Sequence, residues 1–242
     1  MLTRADFIEE AQEIFSKVSK VLESGCFHLR QWCSNSSNVL KDIPKSESAF
    51  VILEFLSVDN KTKTLGLIWS CSSNSLCYNI NTTLSKQVIA KRSVLSLMAN
   101  IFDPLGLLSP CTIIGKIIMQ HLWCNQLSWD NNLPEELYSK WINLQNELPL
   151  LHNLSISRHA ILCNPTELQL HGFCDASERA YGACVYIRSS DKHGKVQVSL
   201  LCAKTKVAPV KTISIPRLEL CGALLLARLV DKVKTAINLQ FN

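Results

Sequence analysis

Two carboxylates in the last third of the sequence are the residues best placed to do chemistry. Glu219 falls in a helical run opened by Pro216 and reaching to about residue 237. At ~100° of rotation per residue, Arg217, Arg228, Asp231 and Lys232 project to one side of that helix. Glu219 points the other way, among Leu218, Ala223, Leu226 and Val230. A carboxylate on the buried side of a helix is costly unless it is paired or binds a metal, so Glu219 reads as a functional residue. Asp175 ends a strand-like run at 168–174 and shares a strand face with His171 and Phe173 by the two-residue period. By position alone, an aspartate at a strand end is more often a turn or cap residue.

Sulfur and imidazole offer less. The chain has eleven cysteines and no Cys-x-x-Cys pair. His-x-x-Cys steps occur at His121/Cys124 and His171/Cys174. The second lies in a predicted strand, where an offset of three sends the side chains to opposite faces. No zinc site is expected. Irregularly spaced cysteines without a secretory signal read as small buried apolar groups in a reducing compartment.

The elements that must position these residues follow from periodicity. Apolar residues at helical spacing predict a helix over 4–23, stopped by Gly25 as a C-cap glycine. Runs at 50–58 and 64–69 read as strands around a turn at Asp59, Asn60 and Lys61, and 76–80 adds a third. From Ser85 the period becomes helical and ends before Asp103-Pro104. A second helix is expected over 111–126. A third begins near Pro134, with Glu135 and Glu136 in its first turn and Leu137, Trp141, Leu144 and Leu148 on one face. Three strands follow at 168–174, 181–188 and 196–203, the last two joined by a turn at 191–194 containing Gly194, and then the helix from Pro216. The class is α+β.

The net charge of +5 is compatible with a polyanionic partner. Basic residues cluster at Lys86, Lys91 and Arg92 and at Lys204, Lys206 and Lys211; each cluster alone reads as a solvated face. Asp6, Glu9 and Glu10 exclude a signal peptide, and Asp103, Pro104, Pro110, Lys116 or Arg228 break every long apolar stretch. The expectation is an intracellular chain, cytoplasmic or nuclear, neither secreted nor bound to a membrane. The Asn-x-Ser/Thr matches at Asn35, Asn60, Asn81 and Asn153 are then chance.

Several motifs resemble a known family in the right order. His171-Gly172-Phe173-Cys174-Asp175-Ala176-Ser177, Tyr181-Gly182-Ala183-Cys184-Val185-Tyr186 and Ile215-Pro216-Arg217-Leu218-Glu219-Leu220 resemble the ribonuclease H start of Pao-type (BEL/Pao) retrotransposon polyproteins. The stretch from Ile101 through Asp103-Pro104-Leu105-Gly106 to Pro110 is similar to the marker that precedes it, and Trp129-Asp130 and Trp141 fit the spacer. Upstream, the runs from Phe27 to Asn35 and from Thr64 to Trp69 resemble a reverse transcriptase after its catalytic centre.

The resemblance implies three parts: the end of a polymerase palm at 1–84, a helical thumb or connection at 85–160, and the N-terminal half of a ribonuclease H-like domain at 161–242, a three-stranded sheet with one helix. It implies cleavage of the RNA strand of an RNA–DNA hybrid with two divalent ions, usually Mg²⁺, held by about four acidic residues. By that resemblance Asp175 bridges the two ions and Glu219 holds one, hard oxygen ligands being what Mg²⁺ requires. The pattern calls for a further aspartate on a strand after the helix, and the sequence ends at Asn242 before one; no aromatic-x-Asp-Asp polymerase signature occurs either. The chain alone is therefore expected to have little or no activity and to work with nucleic acid and the rest of its polyprotein. Alternatives are an aspartic-type peptidase, a non-catalytic nucleic-acid-binding remnant and a decayed reading frame. The peptidase needs Asp-Thr/Ser-Gly, whereas Asp175 is followed by Ala176-Ser177.

Overall fold

The computed structural model describes residues 5, 7–29, 32–41, 43, 61–64, 67–78, 80, 89–237 and 241. The chain divides into two compact units, 1–77 with 155–158 and 78–154 with 159–242. Its class is α+β.

In the first unit, helix α1 spans Ile8–Ser24, with Glu9 and Glu10 in its first turn. The Cys26 N–H donates to the Glu23 carbonyl at 2.9 Å and the Phe27 N–H to the Leu22 carbonyl at 2.9 Å. This pattern needs one left-handed residue beyond the cap. That residue is Cys26, at φ 62°, and not Gly25, which sits at φ −96°. Strands β1 (Lys61–Thr64), β2 (Leu67–Ser70), β3 (Ser75–Cys77) and β4 (Ser155–Ser157) form an antiparallel sheet in that order. The run expected as one strand at 64–69 is instead divided, because Thr64 pairs with Leu67. The strand expected at 50–58 lies outside the described residues, as do residues 81–88. β4 escapes any periodicity argument, since three residues cannot display a period.

The second unit starts with three helices, α2 (Lys91–Asn100), α3 (Ser109–Cys124) and α4 (Glu135–Glu147). Their apolar stripes meet, burying Val94, Leu97, Leu122, Trp141 and Leu144. Ser93 Oγ accepts the Ala90 N–H at 2.9 Å and so closes the start of α2. Of the basic cluster Lys86, Lys91 and Arg92, Lys86 lies outside the described residues and Arg92 is exposed, but Lys91 is not solvated. Lys91 is only 4% exposed, and its ammonium lies 3.3 Å from the centroid of the Trp123 ring and 5.0 Å from that of Trp129. Arg92 forks onto both oxygens of Asp130 at 2.7 and 3.0 Å.

Between α2 and α3 the turn from Asp103 to Leu108 is held from inside. Asp103 accepts the N–H groups of Leu107 at 2.9 Å and Leu108 at 2.7 Å, and the Tyr78 hydroxyl donates to it at 3.2 Å. This occupies amides that a helix start leaves without partners. Gly106 has φ 73°, and a Cβ there would overlap the Ala203 carbonyl.

Strands β5 (Glu167–Ala176), β6 (Ala180–Ser190) and β7 (Val196–Val207) form the second sheet, antiparallel and in sequence order, and helix α5 (Ile215–Ala236) follows. Asp191 makes the β6–β7 turn by accepting the N–H groups of His193 and Lys195 at 2.8 and 3.0 Å, and Gly194 supplies its positive φ. α5 packs on β5 and β6, and α3 packs on β7. On the α5 side Ala183, Val185, Ile187 and Ser189 are buried, and a Cβ at Gly172 would lie 2.7 Å from a Leu226 methyl. The Leu105 carbonyl accepts the Ala203 N–H at 2.8 Å, so the Asp103 turn docks on the outer edge of β7. No helix among the described residues is long and apolar enough to cross a membrane.

Candidate functional site

α5 crosses the end of β5 where Gly222 meets it. A Cβ at Gly222 would lie 3.5 Å from the Asp175 carbonyl oxygen and 3.7 Å from Cys174 Cβ. Glu219 stands three residues before Gly222, ~4.5 Å along the helix axis at 1.5 Å per residue. The backbones of both sequence-derived site residues therefore lie near one crossing of strand and helix. Cys174 Cβ is the β5 side-chain atom that faces α5 there, so alternation turns the Asp175 side chain to the other face.

Their surroundings differ from expectation in one respect. Glu219 is exposed, not buried. The inward line of α5 is Leu218, Gly222, Leu225 and Val233, while Leu220 is 70% and Leu224 52% exposed. α5 carries leucines on most of its circumference, so its inner face cannot be chosen from the sequence pattern. Burial therefore does not mark Glu219 as functional. What remains is its position at the crossing.

Asp175 is exposed, and its Oδ1 accepts the Ala176 N–H at 2.8 Å. Alternation puts its side chain on the face of Phe173 and His171. Phe173 is 58% exposed and meets Tyr186 edge to face at 6.0 Å, and His171 Nε2 lies 3.0 Å from Gln169 Oε1. Asp175 pairs with Gly182 and Gly182 with Thr205, which sets three positions at one level across the sheet. Gly182 adds no side chain to that row, and a cleft of about 380 Å³ opens there. Asp175, Phe173, Cys184 and Thr205 line it, with Ser109, Pro110 and Ile113 from α3.

Thr205 Oγ1 is buried there with no hydrogen-bond partner among the described residues. A buried hydroxyl without a partner is uncommon. The sequence gives no sign of Thr205, because its level with Asp175 depends on the register of three strands. Burial pushes the Cys184 thiol up, which keeps it protonated and a poor nucleophile at neutral pH.

Asp191 and Asp231 do not join this crossing. Asp191 is engaged in its turn, and Asp231 is exposed farther along α5. Among the described residues no group of three or more His, Cys, Asp or Glu could enclose a metal ion. The donor chemistry of Asp175 and Glu219 suits a hard divalent ion, and their number does not suit a tightly held pair of ions.

No curated protein matches this chain. A family model described as the Pao retrotransposon-like RNaseH-like domain matches residues 90–242, which include the Asp103 turn, the second sheet, Asp175, α5 and Glu219. The antiparallel strands β5–β7 and the helix α5 laid across them agree with a ribonuclease H-like arrangement. The chain belongs to the Pao retrotransposon-like RNaseH-like domain family.

Proposed function

We propose that this chain works on RNA–DNA hybrid as part of a retroelement polyprotein, with Asp175 and Glu219 as the carboxylates that hold a divalent ion, Mg²⁺ in the cell. What supports the proposal is the β5/α5 crossing at Gly222, where the Asp175 backbone approaches α5 within one turn of Glu219. Residues 1–84 are read as the end of a polymerase palm and 85–160 as a thumb or connection, working inside the cell in a particle or the nucleus.

A divalent ion bound there would supply positive charge to an attacking water and to the scissile phosphate. The chain's own part is to fix where that charge sits. Asp175 is steadied by the Ala176 N–H beside the cleft that Phe173, Cys184 and Thr205 line. With two carboxylates in place the chain alone is proposed to cleave hybrid weakly or not at all.

Mn²⁺ titration of the full chain, followed by calorimetry, tests the ion. Weak binding is expected, lost in Asp175→Asn and reduced in Glu219→Gln. Binding unchanged in both variants would remove the two residues from the site. A hybrid-cleavage assay with Mg²⁺ or Mn²⁺ tests the weakness of catalysis. Turnover abolished by Asp175→Asn would overturn the inactivity and leave the site in place.

A further inference from the structure

At the outer edge of β7 a second cleft, of about 410 Å³, lies between β7, α3, α5 and the Asp103 turn. Three lysines line it: Lys116 from α3, Lys204 from β7 and Lys232 from α5. All three are exposed, and among the described residues none has an ion-pair or hydrogen-bond partner. Asp103 is the one acidic residue in the lining, and its oxygens are already taken by the Leu107 and Leu108 amides and the Tyr78 hydroxyl.

From this we infer that the Lys116–Lys204–Lys232 cleft is a phosphate-binding site that grips the phosphodiester backbone of nucleic acid. Three lysines from three separate elements around one opening concentrate positive charge there, which favours an anion. Ammonium groups bind phosphate as point charges without demanding one orientation, which suits a backbone contact that carries no sequence information. Lysines on a strand edge can also serve simply to deter edge-to-edge pairing. That accounts for Lys204 alone, because Lys116 and Lys232 stand on helices. The inference rests on the nucleic-acid reading above and gives it a second contact surface, whose lining excludes Asp175 but shares Ser109, Ala203 and Thr205 with the Asp175 cleft.

The test is binding of the full chain to a short RNA–DNA hybrid across a salt series. The log–log salt slope should fall by about one for each lysine lost and by about three in Lys116→Gln/Lys204→Gln/Lys232→Gln. A matched triple, Lys192→Gln/Lys195→Gln/Lys234→Gln, removes the same charge from exposed positions outside the cleft and should change the slope by less than about one. The triple Lys→Arg variant of the cleft should bind like the parent chain. Equal losses in the two glutamine triples would overturn the cleft and leave the nucleic-acid reading standing. No binding by the parent chain would overturn that reading and the cleft with it. Cleft-dependent binding of polyglutamate with none of hybrid would assign the lysines to an acidic protein and overturn the nucleic-acid assignment.

Discussion

Leu108 donates its backbone N–H to the Asp103 carboxylate at 2.7 Å, and Leu107 donates to the other oxygen at 2.9 Å. One side chain thus organises the turn that leads from α2 to α3. Asp103→Ala leaves two amides and the Tyr78 hydroxyl without an acceptor and should lower unfolding free energy by about 1–3 kcal/mol. Asp103→Asn keeps one oxygen and should lose less. Urea denaturation followed by circular dichroism measures both, and an alanine variant as stable as the parent would refute the assignment.

The same turn depends on Gly106. Its φ of 73° and the overlap of any Cβ with the Ala203 carbonyl oppose a side chain there. Gly106→Ala should destabilise by about 1–3 kcal/mol, by strain in the turn and by loss of its docking on β7. The docking part can be read separately. The Ala203 N–H, bonded at 2.8 Å to the Leu105 carbonyl, should exchange faster in the variant.

Lys91 gives a third prediction. Its ammonium stands 3.3 Å from the Trp123 centroid, and it is more buried than either indole beside it. In a double-mutant cycle, Lys91→Met and Trp123→Leu should couple by about 0.5–2 kcal/mol. Additive effects would mean that the two side chains merely pack side by side.

The fourth concerns alkaline pH. Burial first, and then the Asp103 carboxylate, raise the Tyr78 phenol above its ordinary value of 10.0. The folded state therefore keeps that proton when the unfolded chain has begun to lose it. The linked stability is complete below a pH of about 10 and is lost as pH rises beyond it. Tyr78→Phe should flatten the fall in stability above that pH, and at neutral pH it should cost only about 1 kcal/mol. Parallel melting curves for both proteins from neutral to strongly alkaline pH decide the point.

Much of the second unit can be read from the sequence, because each element there has one dominant period. Leu137, Trp141 and Leu144 are buried on α4 as their spacing requires. The three strands extend past their expected ends by only a few residues. α5 could not be oriented in the same way. Leucine at 218, 220, 224, 225, 226 and 229 leaves too little polar contrast to mark one face, so the spacing predicts an inward Glu219 that is in fact exposed. The run from Thr64 to Trp69 reads as one strand from its Thr, Leu, Ile and Trp residues in spite of Gly66, whereas Thr64 and Leu67 pair with each other. The row formed by Asp175, Gly182 and Thr205 depends on inter-strand register. So does the cleft of Lys116, Lys204 and Lys232, which needs three elements packed together before it exists.

Asp175 rides on a strand that is held on one side. Among the described residues β6 is bonded to two neighbours in its sheet, whereas β5 is bonded to β6 alone. Amide exchange along β5 should therefore alternate, slow where N–H groups point at β6 and fast where they point away. Along β6 protection should be continuous. The Asp175 carboxylate is thus tethered to the sheet's more easily opened margin, and its position follows the brief openings of β5 while β6 stays closed.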